Sequence, residues 1–445
     1  MSKSILIIVL SAFGILCLSA WGNFPTPPLT LEDDSNNGAQ KVPQHLSNVI
    51  FISGTDDVKS DPQIAYNSKH NEYLVVWERV SDPEPGIYGQ RLNARGERIG
   101  AVPIQIAVGS KRRKSPAVDY DPVQDRYLVV WEHDHDGSAL EWDISGRFVP
   151  WGSNPTLAEF KISSLTGLQL SPKVAYNANK KEFLVTWQHY PTTVKGEIMG
   201  SRLKADGSGF INQNIKFTGE IKDLQYKYDL VYNLFRNEYL LVWSKLSAAT
   251  KHDVYMTRFK YDGGLLSAKE TPLAVSNESE QEPDAAVWLS KNGYNGYLVI
   301  WKAQDSNAKY KLEGAFYAYE LTPYAGLLHI KSSTNDRIIQ PTAVSNHNQD
   351  QILVVWTEQS YHDPRVTSIW GRYIDLDQSL GPDFQISVTR QDTGSLLRRV
   401  PSTAAGGKTN FLAAWEHSRS STEWWDIHAS LLSRYSSYLP ITMRN

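Results

Sequence analysis

Two stretches of the sequence place tryptophan, histidine and carboxylate side chains at matching spacing. Residues 131–136 are Trp-Glu-His-Asp-His-Asp and residues 141–144 are Glu-Trp-Asp-Ile. Residues 415–417 and 423–427 repeat this order as Trp-Glu-His and Glu-Trp-Trp-Asp-Ile. Tryptophan rings and arginine forks could bind a sugar or an anionic glycan by stacking and by paired hydrogen bonds. The candidate ligand-binding residues are His133, His135, Trp142, Arg112, Arg113, Arg398, Arg399, His417, Trp424 and Trp425. The alternative is that these phrases are the least altered copies of an ancestral repeat.

Two loops contain side chains that metal ions prefer. His133 and His135 alternate with aspartates, and imidazole with carboxylate suits zinc, nickel or manganese. The acidic loop 277–282 could bind calcium, although it lacks a dense ladder of alternating aspartates. Alternating residues on a loop are more often simply solvated. We therefore expect no cofactor and assign no metal site, with calcium at the acidic loop as the one alternative.

The familiar catalytic motifs are missing. The sequence has no Gly-x-Ser-x-Gly elbow, no His-Glu-x-x-His pair and no phosphate-binding loop. Its only cysteine, Cys17, lies in an N-terminal apolar run, which excludes disulfides and thiolate sites from the rest of the chain. The formal net charge of −3 gives no basic field, so we expect no nucleic-acid partner.

Seven tryptophans recur at intervals of 54 to 59 residues and reveal an internal repeat. Each ends a phrase such as Glu-Tyr-Leu-Val-Val-Trp at 72–77. A short run of β-branched, aromatic and aliphatic residues predicts a strand covered on both faces. The seven residues are Trp77, Trp131, Trp187, Trp243, Trp301, Trp356 and Trp415.

Three further strands surround this one in each repeat. The first opens with proline, as at 62–67, because proline at the first position of a strand removes no needed hydrogen bond. The third contains a small residue, such as Gly146, which predicts close approach of a neighbouring sheet. The last alternates, as at 104–106, which is typical of a half-exposed outer strand. These repeats predict an all-β, seven-bladed β-propeller with four antiparallel strands per blade.

The repeat resembles that of a broad set of secreted bacterial propeller proteins. The shared phrases are a proline, Val-Ala-Tyr-Asn, Tyr-Leu-Val-Val-Trp and Ile-Tyr-Gly-Gln-Arg, and the resemblance extends over residues 49–433. It implies the propeller fold and almost no function, since few members of that set have an assigned activity.

The ring is expected to close through its N-terminal end. Residues 49–53 copy the outer-strand phrase, whereas the seventh repeat ends after its third strand near Leu432. A strand at about 49–53 should therefore complete the last blade. A rival strand at 438–443 contains Pro440 and fits less well. An open solenoid or a pair of sandwiches would lack this closing strand.

The segments outside the repeats differ in composition from the ring. Lys3, the apolar run 5–18 and the small residues that follow predict a cleaved secretory signal peptide, with a membrane anchor as the alternative. The expected domains are a signal peptide at 1–20, a disordered proline-rich and acidic spacer at 21–45, the propeller at 46–433 and a tail at 434–445. We expect a monomer, secreted or held at the cell surface or in the periplasm, with no membrane span after signal cleavage.

Three functions suit such a chain. The main expectation is a non-catalytic propeller that presents variable face loops to a glycan or an extracellular protein, so binding is favoured over catalysis. The first alternative is a carbohydrate-active hydrolase or lyase in the central channel, which needs two carboxylates about 5 to 10 Å apart. The second is a cell-surface assembly or scaffold protein. The channel carboxylates considered are Asp119, Asp121, Asp229 and Asp284.

Overall fold

A computed structural model describes most of the predicted propeller. The described residues are 44–45, 49–53, 58–80, 84–135, 137, 141–191, 195–222, 227–248, 251–289, 295–324, 326–346, 350–364, 366–387, 397–407, 410–418 and 425–433. The predicted signal peptide, nearly all of the spacer, and the tail with its rival strand lie outside these residues. Within the described part, there is no helix long and apolar enough to cross a bilayer.

The strands form seven antiparallel sheets, and each sheet is one blade of a propeller. Two short strands precede the first blade, β1 (Gln44–His45) and β2 (Ile50–Phe51). Blade one contains β3 (Lys59–Asn67), β4 (Glu72–Arg79), β5 (Gly86–Asn93) and β6 (Arg98–Val108). Blade two contains β7 (Arg113–Asp121), β8 (Arg126–His133), β9 (Asp143–Pro150) and β10 (Phe160–Ser163). Blade three contains β11 (Leu168–Asn177), β12 (Glu182–Tyr190), β13 (Lys195–Lys204), β14 (Phe210–Lys216) and a short β15 (Ile221–Lys222).

The remaining blades follow the same order. Blade four contains β16 (Tyr228–Asn233), β17 (Glu238–Ala248), β18 (Lys251–Lys260) and β19 (Thr271–Ala274). Blade five contains β20 (Ser279–Leu289), β21 (Asn295–Gln304), β22 (Tyr310–Ala318) and β23 (Leu328–Ser333). Blade six contains β24 (Asp336–Asn346), β25 (Gln351–Ser360), β26 (Thr367–Asp375) and β27 (Phe384–Gln385). Blade seven contains β28 (Leu397–Gly406), β29 (Asn410–Ser418) and β30 (Trp425–Ser433). The predicted seven-bladed fold is therefore confirmed.

The hydrophobic core lies between the blades. The second strand of each blade carries the tryptophan phrase, and all seven tryptophans are buried. Both faces of these strands are covered because a neighbouring blade packs on each side. Seven hydrophobic clusters fill the seven spaces between adjacent blades, including the space between blades seven and one. Packing therefore continues around the whole ring.

The N-terminal strand closes the ring as the sequence predicts. β2 pairs with β30, with Ile50 opposite Ala429, and β1 extends this pairing to Ser433. Ile52 is fully buried in the cluster between blades seven and one. The backbone N–H of Ile427 donates to Ser53 Oγ at 2.9 Å, which fixes the end of the strand.

The innermost strands differ from the prediction at their prolines. β3 begins at Lys59, three residues before Pro62, so proline does not open the strand. Instead, the pairing with β4 shifts register between Ser60 and Gln63, and the proline lies inside this β-bulge. Proline is tolerated in a bulge because the bulged residues are already outside the hydrogen-bonded ladder. Similar shifts occur in blades two, three, five, six and seven.

The small residue of the third strand has a different cause from the one expected. A Cβ added to Gly146 would lie 2.8 Å from Ile162 Cδ1 and 3.3 Å from the Val129 carbonyl oxygen. Both groups belong to blade two itself, on β10 and β8. The glycine therefore makes room for an isoleucine of its own outer strand, and not for a neighbouring sheet.

A polar clamp joins blades one and two on the face opposite the starts of the innermost strands. The His70 ring stacks on Trp151 with centroids 3.6 Å apart, and His70 Nε2 lies 2.9 Å from Asp125 Oδ2. Asp125 also accepts a hydrogen bond from the Tyr120 hydroxyl at 2.7 Å. Partial burial raises the pKa of Asp125, but the contacts with His70, Tyr120 and Lys69 outweigh this effect and lower the pKa to about 2.

We expect His70→Ala to lower the free energy of unfolding by about 1–2 kcal/mol at pH 7, since it removes a ring stack and a charge-assisted contact. Because the pKa of Asp125 is depressed in the folded state, its contribution is present above pH 4 and is lost as the pH falls toward 2. Urea unfolding at pH 7 and pH 3 measures both effects. His362→Ala, at an exposed histidine, is the control, and equal stability of the two variants would contradict the clamp.

Candidate functional site

The innermost strands enclose a cavity on the propeller axis. Its volume is about 370 Å³, and all seven blades contribute to its wall. This volume falls within the size range of small-molecule sites. The lining residues are Asp61, Gln63, Ser115, Pro116, Ser171, Pro172, Lys173, Lys227, Tyr228, Glu282, Asp284, Gln340, Thr342, Val400, Pro401 and Ser402. We call this cavity the funnel.

The β-bulges shape the wall of the funnel. In six blades the residue before the proline adopts a left-handed conformation with φ between 50° and 53°; these residues are Asp61, Ser115, Ser171, Glu282, Gln340 and Val400. A side chain of the preceding blade can then accept a hydrogen bond from the bulged N–H. Asp61 N donates to Glu416 Oε1 at 2.9 Å, and Ser171 N donates to Glu132 Oε1 at 2.8 Å. The bulges therefore brace neighbouring blades at the funnel.

The residue after the repeat tryptophan makes the ring asymmetric. It is glutamate in blades one, two and seven, and Gln188, Ser244, Lys302 or Thr357 in the others. Glu132 and Glu416 are only 2% and 1% exposed, whereas Glu78 is half-buried. Burial and the charge of Asp61 together raise the pKa of Glu78 to about 7, against the pull of Lys114. Blade one therefore presents a half-buried carboxyl that is partly protonated at neutral pH.

Asp61 lies in the funnel wall among cations of three other blades. Burial raises the pKa of its carboxyl, whereas Arg399, Lys114 and Lys173 lower it. The three cations come from blades seven, two and three. Burial is the larger effect, so the pKa of Asp61 is raised overall and the three cations oppose that rise only in part. Lys114 acts on Glu78 as well, whereas Arg399 and Lys173 act on Asp61, so Asp61 is the carboxyl of this sector with more cationic partners.

The opposite wall contains carboxylates with internal partners. Lys227 Nζ donates to Asp284 Oδ2 at 2.5 Å, and Asp284 Oδ1 accepts a hydrogen bond from Ala343 N at 2.8 Å. Burial raises the pKa of Asp284 to about 6, even though Lys227 lowers it. Lys302 Nζ likewise donates to Glu282 at 2.7 Å. These groups hold blades four, five and six together.

Of the four carboxylates considered from the sequence, only Asp284 lines the funnel. Asp119 accepts a hydrogen bond from Tyr176 N at 2.6 Å, and Asp121 accepts one from Val123 N at 2.8 Å in a turn. Asp229 lies 3.6 Å from Lys173 Nζ. Sequence reasoning missed Asp61 and Glu78, although the residue after the tryptophan has a recognisable place in all seven repeats and the residue before the proline has one in six.

The predicted ligand-binding residues of blade two form one cluster. Trp142 is only 4% exposed, with Lys114 Nζ 4.3 Å and Arg112 Cζ 5.4 Å from its ring centre. Its face is therefore covered by cations. The rings of His133 and His135 are 3.6 Å apart, and Ser145 Oγ lies 3.3 Å from His133 and 3.2 Å from His135. Arg113 forms an ion pair with Glu159 at 3.0 Å.

The predicted residues of blade seven form a second cluster on the other side of blade one. Arg399 Cζ lies 4.2 Å from the centre of the Trp425 ring, and Arg399 Nε donates to Glu416 at 2.6 Å. His417 stacks on His428 with centroids 4.1 Å apart. Trp424 and the side chain of Arg398 lie outside the described part. The pattern of tryptophan, cation and glutamate thus occurs in both flanking blades.

The two loops considered for metals show other contacts. In the acidic loop, Glu278 pairs with Lys311 and Glu280 accepts a hydrogen bond from Ser276. Asp134 caps a turn by accepting a hydrogen bond from Gly137 N at 2.8 Å, and Asp136 is not among the described residues. Where the structure describes the chain, no three histidine, cysteine or acidic side chains are grouped as metal ligands.

The buried Glu416 should make stability depend on pH. Burial raises its pKa to about 7 against the pull of Arg399. A carboxyl with a raised folded-state pKa stabilises the fold fully below pH 4.5, and this contribution is lost as the pH rises to 7. Between pH 5 and pH 8, the free energy of unfolding of the parent should fall by about 2 kcal/mol more than that of Glu416→Gln. Urea unfolding at both pH values measures this, with exposed Glu97→Gln as the control; parallel changes in all three proteins would refute it.

Several solved structures have a similar fold. A protein of unknown function from Dyadobacter fermentans is 11% identical, with 88% of this chain and 99% of that chain covered and a TM-score of 0.48. An α-L-arabinanase from Penicillium chrysogenum, complexed with arabinobiose, is 10% identical over 88% and 99% of the two chains, with a TM-score of 0.44. The GH93 α-L-arabinofuranosidase of Fusarium graminearum with arabinobiose is 11% identical over 72% and 93%, with a TM-score of 0.46. No family model and no curated sequence matches the chain. At such identities the likeness concerns the fold.

The main functional expectation is wrong. Among the three structures described, those with a stated activity are an arabinanase and an arabinofuranosidase, and neither is a binding module. The expectation of a non-catalytic binding propeller is contradicted, and the comparisons agree better with its first alternative, a carbohydrate-active hydrolase. The expectation rested on the absence of catalytic motifs contiguous in sequence, yet a propeller brings distant residues together: Asp61 N donates a hydrogen bond to Glu416 although 355 residues separate them.

Proposed function

We propose that this chain is a carbohydrate-active hydrolase that cleaves glycosidic bonds at the funnel, with Asp61 and Glu78 as its acid–base pair. The observation that carries the proposal is the pair itself: two partly exposed carboxyls of one blade, of which Asp61 lines an axial cavity large enough for a sugar unit and Glu78 lies close enough to interact with Asp61 electrostatically. Glycoside hydrolysis generally uses two carboxyl groups in different protonation states.

The surroundings of the two carboxyls assign their roles. Glu78 has a pKa raised to about 7, so it holds a proton that it can give to the departing glycosidic oxygen. Burial raises the pKa of Asp61 overall, but Arg399, Lys114 and Lys173 act against that rise, and on this ground we assign Asp61 the role of the base. Glu132 and Glu416 are too deeply buried to reach a substrate. Glu416 instead accepts the hydrogen bond of Asp61 N and so positions the Asp61 backbone.

The reaction balances with water as the only co-substrate. Water attacks the anomeric carbon, and Asp61 takes a proton from that water. The bond between the anomeric carbon and the bridging oxygen breaks, and Glu78 gives its proton to the bridging oxygen as it leaves. One sugar product retains the hydroxyl derived from water, and the other retains the bridging oxygen. Proton exchange with solvent then restores both carboxyls.

The location and partner follow from the same proposal. The segment 1–20 has the pattern of a secretory signal, and polysaccharides too large to enter a cell are cleaved outside it. We therefore propose a secreted or envelope-located enzyme whose partner is a glycan and which acts as a monomer.

The test is a polysaccharide panel that includes arabinan, xylan, glucans and uronic-acid polymers. We expect the protein from residue 21 onward to release new reducing ends from at least one of them. Gln63→Trp should abolish this release because the indole would fill the funnel beside Asp61. Ser208→Trp, on an exposed turn between β13 and β14, is the matched control and should remain active. No release from any polymer, or equal release by both variants, would refute catalysis at the funnel.

A further inference from the structure

Blades two and seven carry the same three-part arrangement on either side of Asp61. Lys114 and Arg399 each directly precede the bulged residue of their strand, Ser115 or Val400. Each lies over a tryptophan ring. Lys114 Nζ is 4.3 Å from the centre of the Trp142 ring, and Arg399 Cζ is 4.2 Å from the centre of the Trp425 ring. Such cation–π contacts hold a flexible basic side chain in one place.

Each of these cations also pairs with the buried glutamate of its own blade. Lys114 Nζ lies 3.1 Å from Glu132 Oε2, and Arg399 Nε lies 2.6 Å from Glu416 Oε2. The glutamates in turn accept hydrogen bonds from bulged N–H groups of the next blade. The positions of the cations are therefore fixed by the ring itself and do not depend on a ligand.

The arginines keep unused hydrogen-bonding capacity toward solvent. The side chain of Arg399 is 49% exposed, and only its Nε has a hydrogen-bond partner among the described residues. Its two terminal amino groups therefore remain available. Arg112 is exposed above Trp142 and has neither an ion pair nor a side-chain hydrogen bond within the described part of the chain. Arginine in this state binds carboxylates through two parallel hydrogen bonds.

A third cation extends this charge into the cavity. Lys173 lines the funnel beside the blade-two wall, and its Nζ lies 3.6 Å from Asp229. Together with Lys114 and Arg399 it acts electrostatically on Asp61. Cations from three blades thus surround the carboxyl that is proposed to take part in the reaction, whereas the lysines of the opposite wall are bound at 2.5 Å and 2.7 Å to carboxylates.

We propose that the substrate of this site is an acidic glycan, whose uronic acid carboxylates bind Arg399 and Arg112 on the two sides of the bond to be cleaved. This inference rests on the proposed hydrolase function and specifies its substrate class. A neutral glycan would leave the terminal amino groups of Arg399 and the Arg112 guanidinium group hydrogen-bonded to water alone. A chain with a carboxylate on successive sugars could engage both at once while its linkage lies at Asp61.

The test compares uronic-acid polymers with their carboxyl-reduced, neutral counterparts of the same length and linkage. We expect cleavage of at least one acidic polymer with a KM at least about tenfold below that of its reduced form, because each arginine contributes a charge-assisted bidentate contact. Raising the salt concentration should increase KM for the acidic form and not for the reduced form. Arg112→Gln should raise KM for the acidic form about tenfold and leave KM for the reduced form unchanged. Arg399→Gln should raise KM for the acidic form by a similar factor, and it should also lower kcat on both forms because Arg399 acts on Asp61.

Two variants guard against an indirect effect. Arg399→Gln also removes the partner of Glu416, whereas Arg112→Gln removes no hydrogen bond or ion pair of the described residues. Arg236→Gln is the matched control. Arg236 Cζ likewise lies over an aromatic ring, 3.7 Å from the centre of Tyr319, but Arg236 is in the turn between β16 and β17, at the end of the innermost strand that is far from the bulges. Equal cleavage of acidic and reduced polymers, or no effect of Arg112→Gln, would overturn the acidic substrate while the hydrolase function stood. No cleavage of any polymer would overturn the hydrolase function itself.

Discussion

Removal of the closing strand is expected to destabilise the propeller more than any single substitution. A chain that starts at residue 54 loses Ile52 from the cluster between blades one and seven, together with the hydrogen bonds of Ile52 N and Ser53 Oγ to Ile427. We expect a loss on the order of 5 kcal/mol, since burial of one isoleucine and two or three buried hydrogen bonds disappear together. The loss should be larger still where the uncovered edge of β30 leads to aggregation.

The measurement is urea unfolding and thermal melting of two truncations. A chain starting at residue 43 retains β1 and β2 and should unfold as the parent does. A chain starting at residue 54 should melt several degrees lower, because a protein of this size loses only about 1–2 °C per kcal/mol. If both truncations melt alike, the pairing of β2 with β30 does not close the ring in solution.

A point substitution separates packing from chain length. Ile52→Ala should cost about 2–4 kcal/mol, because it leaves a cavity at a fully buried position. Phe51→Ala at the adjacent position is the matched control: the Phe51 side chain is 50% exposed and contacts His428 with one edge, so its removal should cost less than that of the fully buried Ile52. Similar losses from the two substitutions would mean that the strand acts through its backbone alone.

Asp61→Asn is expected to reduce kcat by about 10² to 10⁴, the range that one acid–base group usually contributes. The amide has nearly the shape of the carboxyl, and the hydrogen bond to Glu416 comes from the Asp61 backbone, so folding should be retained. The measurement is the release of reducing ends from whichever polymer the parent cleaves. Asp206→Asn, at an exposed turn on another blade, is the matched control and should keep full activity.

Glu78→Gln should distinguish the proton donor from its partner. An aryl glycoside has a leaving group that needs no proton, so this variant should cleave it nearly as fast as the parent does. Asp61→Asn should remain inactive on the same compound. With the parent, kcat on the polymer should fall as the pH rises above about 7, where Glu78 loses its proton. Loss of activity with both substrates in Glu78→Gln would refute the assigned role.

The sequence predicted the architecture well because its signals are local and repeated. A tryptophan phrase repeated seven times requires a strand covered on both faces. The copy of the outer strand at 49–53 can pair only with the third strand of the seventh repeat, because that repeat has no outer strand of its own. The position of the proline was read wrongly because a bulge is a property of the pairing between β3 and β4, and the β3 sequence alone does not show it. The register decides which side of the strand each residue faces.

The candidate site was harder to find from the sequence. Trp142 and Trp425 drew attention as aromatic residues, yet Trp142 is buried beneath cations. Asp61 appeared ordinary, because its environment comes from Arg399, Lys114 and Lys173 on three other blades. Burial and long-range charge give a carboxyl its acidity, and no spacing along one repeat encodes either of them.

The pairing of β2 with β30 also imposes an order on folding. Ser53 and Ile427 are joined although 374 residues separate them, so this contact cannot form until the seventh blade has been synthesised. Blades two to six can fold one after another, each on the previous blade, while residues 49–53 wait for a partner. The ring therefore stays open until the seventh blade is present, and closure is its last folding step.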